Sequence, residues 1–211
     1  MTPERKEKFK KVVAQRQLDL TVVLENVHDP HNIGAVLRSC DSVGIHEIFV
    51  LYTDADLTEE NLVAGKSSSS GARKWVDVHY FTDVEKCFRE IKKRYENVFC
   101  TALSQDAKGL YEMDLTQSIA LLFGNEHDGV SEEALKYCDG NFIIPQMGMV
   151  KSLNISVACA VSLYEAARQR MEKGKYKSNF LENEIQRKAL LNEYVKRHEL
   201  HLKNRKFKNK K

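Results

Sequence analysis

The 211-residue sequence contains no Gly-x-Gly-x-x-Gly turn. A dinucleotide-type Rossmann site places that turn after its first strand so that backbone can approach a pyrophosphate. Its absence argues against such a site, and here the first strand-like run ends in ENVHDPHN instead. There is also no Cys-x-x-Cys pair. The five cysteines, Cys40, Cys87, Cys100, Cys138 and Cys159, are odd in number and widely spaced, which speaks against a disulfide framework or a zinc site. Cys40 and Cys159 fall in apolar helical patterns and read as small core residues; no metal is expected. No apolar run reaches the ~18 residues needed to cross a bilayer. Residues 1–17 lack the apolar segment of a secretory signal. These absences lead to the expectation of a soluble, cytoplasmic protein. No internal repeat is present.

Net charge is also small, +3, but it is unevenly spread. Residues 1–17 carry six Lys/Arg against two Asp/Glu, residues 18–167 carry 12 against 23, and residues 168–211 carry 15 against 5. An acidic middle between two basic ends fits a polyanionic partner. It also fits solvated surface helices followed by a disordered tail. The length suits one domain of about 150 residues with terminal extensions, divided as 1–17 (basic helix), 18–171 (central domain) and 172–211 (basic helix and tail).

Along the chain, short β-rich apolar runs alternate with helical periodicity. LTVVLEN (20–26), HEIFVLY (46–52), WVDVHY (75–80), NVFCTAL (97–103), SIALLFG (118–124) and NFIIP (141–145) read as strands. A helix is predicted from near Asn32, with Ile33, Val36, Leu37, Cys40 and Val43 on its core face and Gly44 at its end. Residues 83–94 and 131–138 read as further helices, the latter starting at Ser131. From about Asn154 to Arg170 the pattern is apolar on most sides, as in a helix buried on more than one face or in an oligomer interface. Residues 181–202 read as a polar helix and 203–211 as a disordered tail. The loop KSSSSGARK (66–74) lacks core-building residues and reads as mobile. The class is α/β with a mainly parallel sheet flanked by helices.

Three segments combine small residues with reactive polar side chains: PHNIGAVLRSCDSVG (30–44), LLFGNEHDGVSEEAL (121–135) and IIPQMGMVKSLNISVACAVSLYEAARQR (143–170). The small residues Gly124, Gly129, Gly148 and Ser152 lie late, in loops after late strands, where open α/β sheets hold ligands. Together and in this order, the segments resemble the SpoU/TrmH branch of the SPOUT RNA methyltransferases, over about Leu18 to Met171. Within that branch the pattern is most similar to the enzymes of guanosine 18 in tRNA. The resemblance implies a C-terminal trefoil knot, S-adenosylmethionine as cofactor, and a homodimer with the active site at its interface. It also implies methyl transfer to a ribose 2′-hydroxyl of tRNA in the D-loop. Thr101, Leu103, Gly124, Ile144 and Leu153 would line the cofactor pocket. The alternatives are the same reaction on ribosomal RNA or another tRNA position, and an RNA-binding protein that has lost catalysis. Only about 17 residues precede the first strand, where relatives acting on ribosomal RNA often carry a separate domain, and this favours tRNA.

The resemblance assigns chemistry to Arg38, with Asn32, Glu126, Ser152 and Asn154 around it. Arg38 lies off the apolar face of its helix, and Gly34 one turn earlier leaves room beside it; the bland reading is an ion pair with Asp41. The resemblance implies that Arg38 activates the ribose 2′-hydroxyl. Because a guanidinium keeps its proton up to a pKa above ~12, the preferred version is that it holds a phosphate and stabilises the developing alkoxide. The competing version is literal deprotonation with the RNA phosphate as proton acceptor. The bland readings of Asn32, Ser152 and Asn154 are helix caps, that of Glu126 a solvated loop acid, and those of Ile144 and Leu153 core packing. Relatives often carry Lys after this Glu, whereas this chain has His127 and Asp128. His28 and His31 flank Pro30 and read as structural. Phosphate contacts are expected from Arg5, Lys6, Lys8, Lys10, Lys11, Arg168, Arg170, Lys173 and Lys175, with Arg73 and Lys74 as nearer contacts. Nothing reads bases in an obvious way, so specificity is expected to come from RNA shape.

Overall fold

Three strands, LTVVLE, EIFVL and IALLF, are buried at every position without alternation. A strand needs that pattern only when both faces of its sheet are covered, as in parallel sheets flanked by helices. The computed structural model of the chain describes residues 1–53, 71–102, 106–125, 128–150, 152–177 and 184–208. The described chain forms two compact units, Gln17–Lys173 and the two terminal segments Met1–Arg16 with Gly174–Lys211.

The larger unit holds seven strands: β1 (Leu20–Glu25), β2 (Glu47–Leu51), β3 (Asp77–Phe81), β4 (Asn97–Thr101), β5 (Lys108–Gly109), β6 (Ile119–Phe123) and β7 (Gly140–Ile143). They form one sheet in the order β3-β2-β1-β6-β4-β7-β5, and every pairing is parallel. All strand C-termini therefore lie along one edge. Strand periodicity sends alternate residues to opposite faces. Val23, Phe49, Leu51, Val98, Cys100, Ala120 and Leu122 meet the apolar side of α3 (Val84–Lys92) in one buried cluster. Their neighbours Val22, Leu24, Ile48, Val50 and Leu121 are equally buried.

Helix α2 (Pro30–Ser42) begins two residues earlier than the sequence suggested. Asp29 is its N-cap, its carboxylate accepting the His31 amide at 2.8 Å, and Pro30 fits the first turn because its missing N–H would have had no partner there. The expected stop holds: Gly44 has a φ of 89°, a conformation glycine adopts freely. A short helix, α4 (Glu132–Leu135), is capped by Ser131. Helix α5 (Ile155–Glu172) is capped by Asn154.

Arg170 is a correction to the expected phosphate contacts. It is fully buried, donating to the carbonyls of Leu115 and Gln117, to Gln17 and to Asp19. Its charge ties α5 to the chain before β1 and β6, and none of it is left for RNA.

In the terminal unit, α1 (Pro3–Ala14) and α6 (Glu184–Lys208) pack through Phe9, which meets Tyr194 and His198 edge-on. Arg187 donates to the carbonyls of Val13, Ala14 and Arg16, the groups a helix C-terminus leaves open. Helix α6 continues to Lys208, so residues 203–208 extend the helix where a disordered tail was expected; Lys and Arg are good helix formers. Among the described residues no helix is long and apolar enough to cross a membrane.

Candidate active site

The C-terminal edge of the sheet collects most of the expected site. Thr101 ends β4, Gly124 follows β6 and Ile144 follows β7, and β6, β4 and β7 are adjacent. Thr101 Oγ1 donates to Leu122 O at 3.4 Å, which joins β4 to β6 near their ends. Ile144, directly after β7, is half-buried, as is Leu153 just before the helix at Ile155–Glu172. Gly124 is required by close backbone approach, since a Cβ there would lie 2.1 Å from the carbonyl of Gly129 and 2.4 Å from Val130 N. The chain doubles back at this point, with the Gly129 amide donating to Asn125 O at 2.9 Å and Gly129 at a φ of 72°. Glu126 and Leu103 lie outside the described residues.

The first and third segments meet through two asparagines. Asn154 Nδ2 donates to Asn32 Oδ1 at 3.1 Å across 122 residues of chain. The Asn154 carbonyl oxygen accepts from the amide and hydroxyl of Ser156 at 2.9 and 2.6 Å, so one side chain both caps α5 and joins it to α2. Asn32 is buried in the first turn of α2 and is not its cap. Ten residues further along each helix, Ser42 Oγ and Tyr164 OH are 3.3 Å apart. Equal spacing on both chains means α2 and α5 run side by side in the same direction, the two ties about 15 Å apart.

Arg38 lies between those ties on α2 and is exposed. Among the described residues its guanidinium makes no ion pair, so the bland pairing with Asp41 does not form. Ser152 is also exposed. Burial and the charge of Tyr80 push the Tyr52 phenol up to about 12 against the opposing influence of Arg73. Tyr52 OH therefore stays protonated and donates to Val27 O, 3.4 Å away, in the turn before α2.

The expected phosphate contacts divide into several kinds. Arg5, Lys6, Lys8, Lys10 and Lys11 are exposed on α1, with Lys10 3.5 Å from Glu7. Lys173 is exposed and Lys175 half-buried. Arg168 is exposed but paired with Glu165 and Glu172 at 2.8 and 2.7 Å, pairs that a phosphate would have to displace. Arg73 lies over the Tyr80 ring and Lys74 over the Trp75 ring; both cations are half-buried.

Sequence reasoning passed over Glu25, Asn26 and Asn125 and read Ser131 only as a helix start; Asn125 bonds to Asn26 and Ser131 to Glu25 at the same sheet edge. The available signal was a carboxylate closing an otherwise apolar, all-buried strand. S-adenosylmethionine needs apolar surface for its adenine, a hydroxyl or backbone groups for its polar atoms, and no obstructing side chain. Thr101, Gly124 and Ile144 offer such groups at adjacent strand ends, and Leu153 precedes α5. Among the described residues no cluster of His, Cys, Asp and Glu suited to a metal occurs.

Comparison with known proteins places this arrangement. The model of the SpoU rRNA Methylase family matches residues 19–164. The tRNA (guanosine(18)-2′-O)-methyltransferase of Thermus thermophilus is 44% identical over 189 residues, 90% of this chain and 95% of that protein. Among solved structures, the A. aeolicus TrmH/SpoU tRNA modifying enzyme superposes with a TM-score of 0.75 at 34% identity, covering 92% of this chain and 96% of that one. The SpoU methyltransferase AviRb from Streptomyces viridochromogenes, solved in complex with the cofactor AdoMet, superposes with a TM-score of 0.64 at 30% identity. It covers 74% of this chain and 59% of that one.

Proposed function

The chain belongs to the SpoU methylase family, and from that premise we propose that it methylates a ribose 2′-hydroxyl of tRNA, at guanosine 18 of the D-loop, using S-adenosylmethionine. The observation that carries the reading is the Asn32–Asn154 hydrogen bond, which joins the first and third segments at the start of the helix that carries the exposed Arg38. When bound, the cofactor supplies an electrophilic methyl group on a sulfonium. Thr101, Gly124, Ile144 and Leu153, with Leu103, hold it. Arg38 grips a phosphate next to the target ribose and stabilises the negative charge that develops on the 2′-oxygen. Asn32 and Asn154 fix the start of α2 and hence the direction of Arg38, while Ser152 and Glu126 complete the polar side of the site.

The reading extends to the assembly. Val157, Tyr164 and Met171 recur every seven residues on α5 and are exposed, as are Met147, Met149 and Val150 before it. An apolar stripe of this kind supports a homodimer through α5, with the active site at the interface. Residues 18–171 form the methyltransferase domain with the family's C-terminal trefoil knot. Segments 1–17 and 172–211 are basic extensions that grip RNA in the cytoplasm.

The test is methyl transfer from labelled S-adenosylmethionine to unmodified tRNA, with the modified position mapped and Arg38→Ala and Arg38→Lys alongside. The expected result is a 2′-O-methyl on guanosine 18 that disappears in both variants, because only the planar guanidinium fork binds phosphate in two places at once. Near-normal turnover by Arg38→Lys overturns the role given to Arg38. Transfer to ribosomal RNA alone moves the substrate, and cofactor binding without any transfer leaves a non-catalytic RNA-binding protein.

A further inference from the structure

Glu25, the last residue of β1, is fully buried. Its carboxylate accepts the Ser131 amide at 3.0 Å and the Ser131 hydroxyl at 2.6 Å. Ser131 caps α4 through a separate bond from the Ala134 amide, so the short helix does not need the carboxylate. Nor does the sheet, since a valine would continue the run Val22, Val23, Leu24 without the desolvation that a buried acid entails. A group kept at such expense, at the sheet edge that holds the site, points to a task other than packing.

Asn26 follows with a φ of 50°, the one non-glycine residue at positive φ among those described. Asparagine tolerates this left-handed conformation better than most side chains, and a strained residue at a site edge invites a functional reading. The turn aims three groups at once. The Asn26 carbonyl accepts from Asn125 Nδ2 at 2.9 Å, its amide donates to Leu51 O at 2.9 Å, and its side chain exchanges two bonds with Thr53. Two consecutive residues thus hold the end of β2 and, through Asn125 and Ser131, the chain on either side of the Gly129 turn. Four residues after Asn26 the same turn becomes α2.

We propose that Glu25 and Asn26 are positioning residues for methyl transfer. They lock Asn125 and Ser131, and with them the cofactor-side Gly124, to the turn that leads into the helix carrying Asn32 and Arg38. Cofactor and arginine then keep one spacing. This inference rests on the proposed methyl transfer, because spacing matters only if a group crosses the gap.

The experiment uses the full chain with Glu25→Ala, Glu25→Gln, Ser131→Ala and the Glu25→Ala/Ser131→Ala double variant. It measures S-adenosylmethionine affinity by calorimetry, kcat at saturating tRNA, thermal stability, and exchange of the Gly129 amide. Each alanine variant is expected to lower kcat or cofactor affinity about ten- to hundredfold, the range a small misplacement produces. Gly129 exchange should speed up, and the double variant should be no worse than the worse single one, as for two partners of one interaction. Glu25→Gln keeps the shape and one acceptor oxygen, so it folds and recovers most of the loss. Lowered stability with unchanged cofactor affinity, kcat and Gly129 exchange overturns the proposal. A wild-type chain that neither binds the cofactor nor methylates RNA defeats the functional reading instead. In that case the exchange of Gly129 in Glu25→Ala still decides whether the lock exists: exchange unchanged from the parent rules it out.

Discussion

A methyl group added at Gly124 would lie 2.1 Å from the Gly129 carbonyl, a contact that only a backbone shift relieves. Gly124→Ala is therefore expected to displace the strand end as well as destabilise the chain. It should lose about 2 kcal/mol or more of stability and most cofactor affinity, read by thermal melting and calorimetry. Gly129→Ala meets no neighbour within 4 Å but must hold a φ of 72°, so its expected loss is smaller, about 1 kcal/mol. Asn154→Ala removes a cap worth about 1 kcal/mol together with the tie to Asn32, and should lower kcat more than its stability loss explains. The sequence carried part of this. Small residues after late strands marked Gly124, and the motif order marked Asn32, Arg38 and Asn154. It could not show that Asn32 bonds to Asn154 while Asp29 does the capping, because both asparagines satisfy the same local rule and only the packing of α2 along α5 chooses between them. Arg170 was misjudged for a similar reason. A basic residue at the end of a helix looks solvated until the carbonyls of Leu115 and Gln117, far off in sequence, are seen to surround it.

At the scale of elements, the strand pattern was legible because unbroken apolar runs and alternating helices leave few options besides a parallel sheet. The order β6-β4-β7 was not legible, since nothing local distinguishes the partners of equally apolar strands. Glu47 opens β2 at the edge opposite the site. Burial alone would raise its pKa, but hydrogen bonds from His79 and Tyr95 and the charges of His46 and Arg94 hold it at about 2. A carboxyl depressed in the folded state stabilises the fold fully above its unfolded value, near 4.5, and that contribution disappears as pH falls toward 2. The contribution is roughly 3 kcal/mol at neutral pH. Glu47→Gln is therefore expected to melt lower than the parent at pH 7 and to converge with it near pH 2, as measured by a melting series across pH. Arg170→Ala should be the more damaging change at neutral pH, at about 3–5 kcal/mol, because it removes the guanidinium that serves the carbonyls of Leu115 and Gln117 and pairs with Asp19.

For the whole molecule, the exposed stripe on α5 makes association the central prediction. Tyr164→Asp places a charge in the middle of that stripe and is expected to give a monomer by sedimentation. If the active site is completed by the partner subunit, the monomer also loses methyl transfer. A saturating excess of S-adenosylmethionine, about a hundred times Kd, should add about 2.7 kcal/mol of apparent stability. Affinity for tRNA should fall with salt, and neutralising Lys6 and Lys11 together should reduce the slope of log affinity against log salt by about 2. Arg170 contributes nothing to that slope.

The Asn32–Asn154 bond has one more consequence, which concerns synthesis. Its two partners leave the ribosome 122 residues apart, and β1 must wait for β6 before its second edge is covered. The proposed site around Asn32 and Asn154 therefore cannot close until α5 has been made, and a chain terminated before α5 is expected to lack methyl transfer.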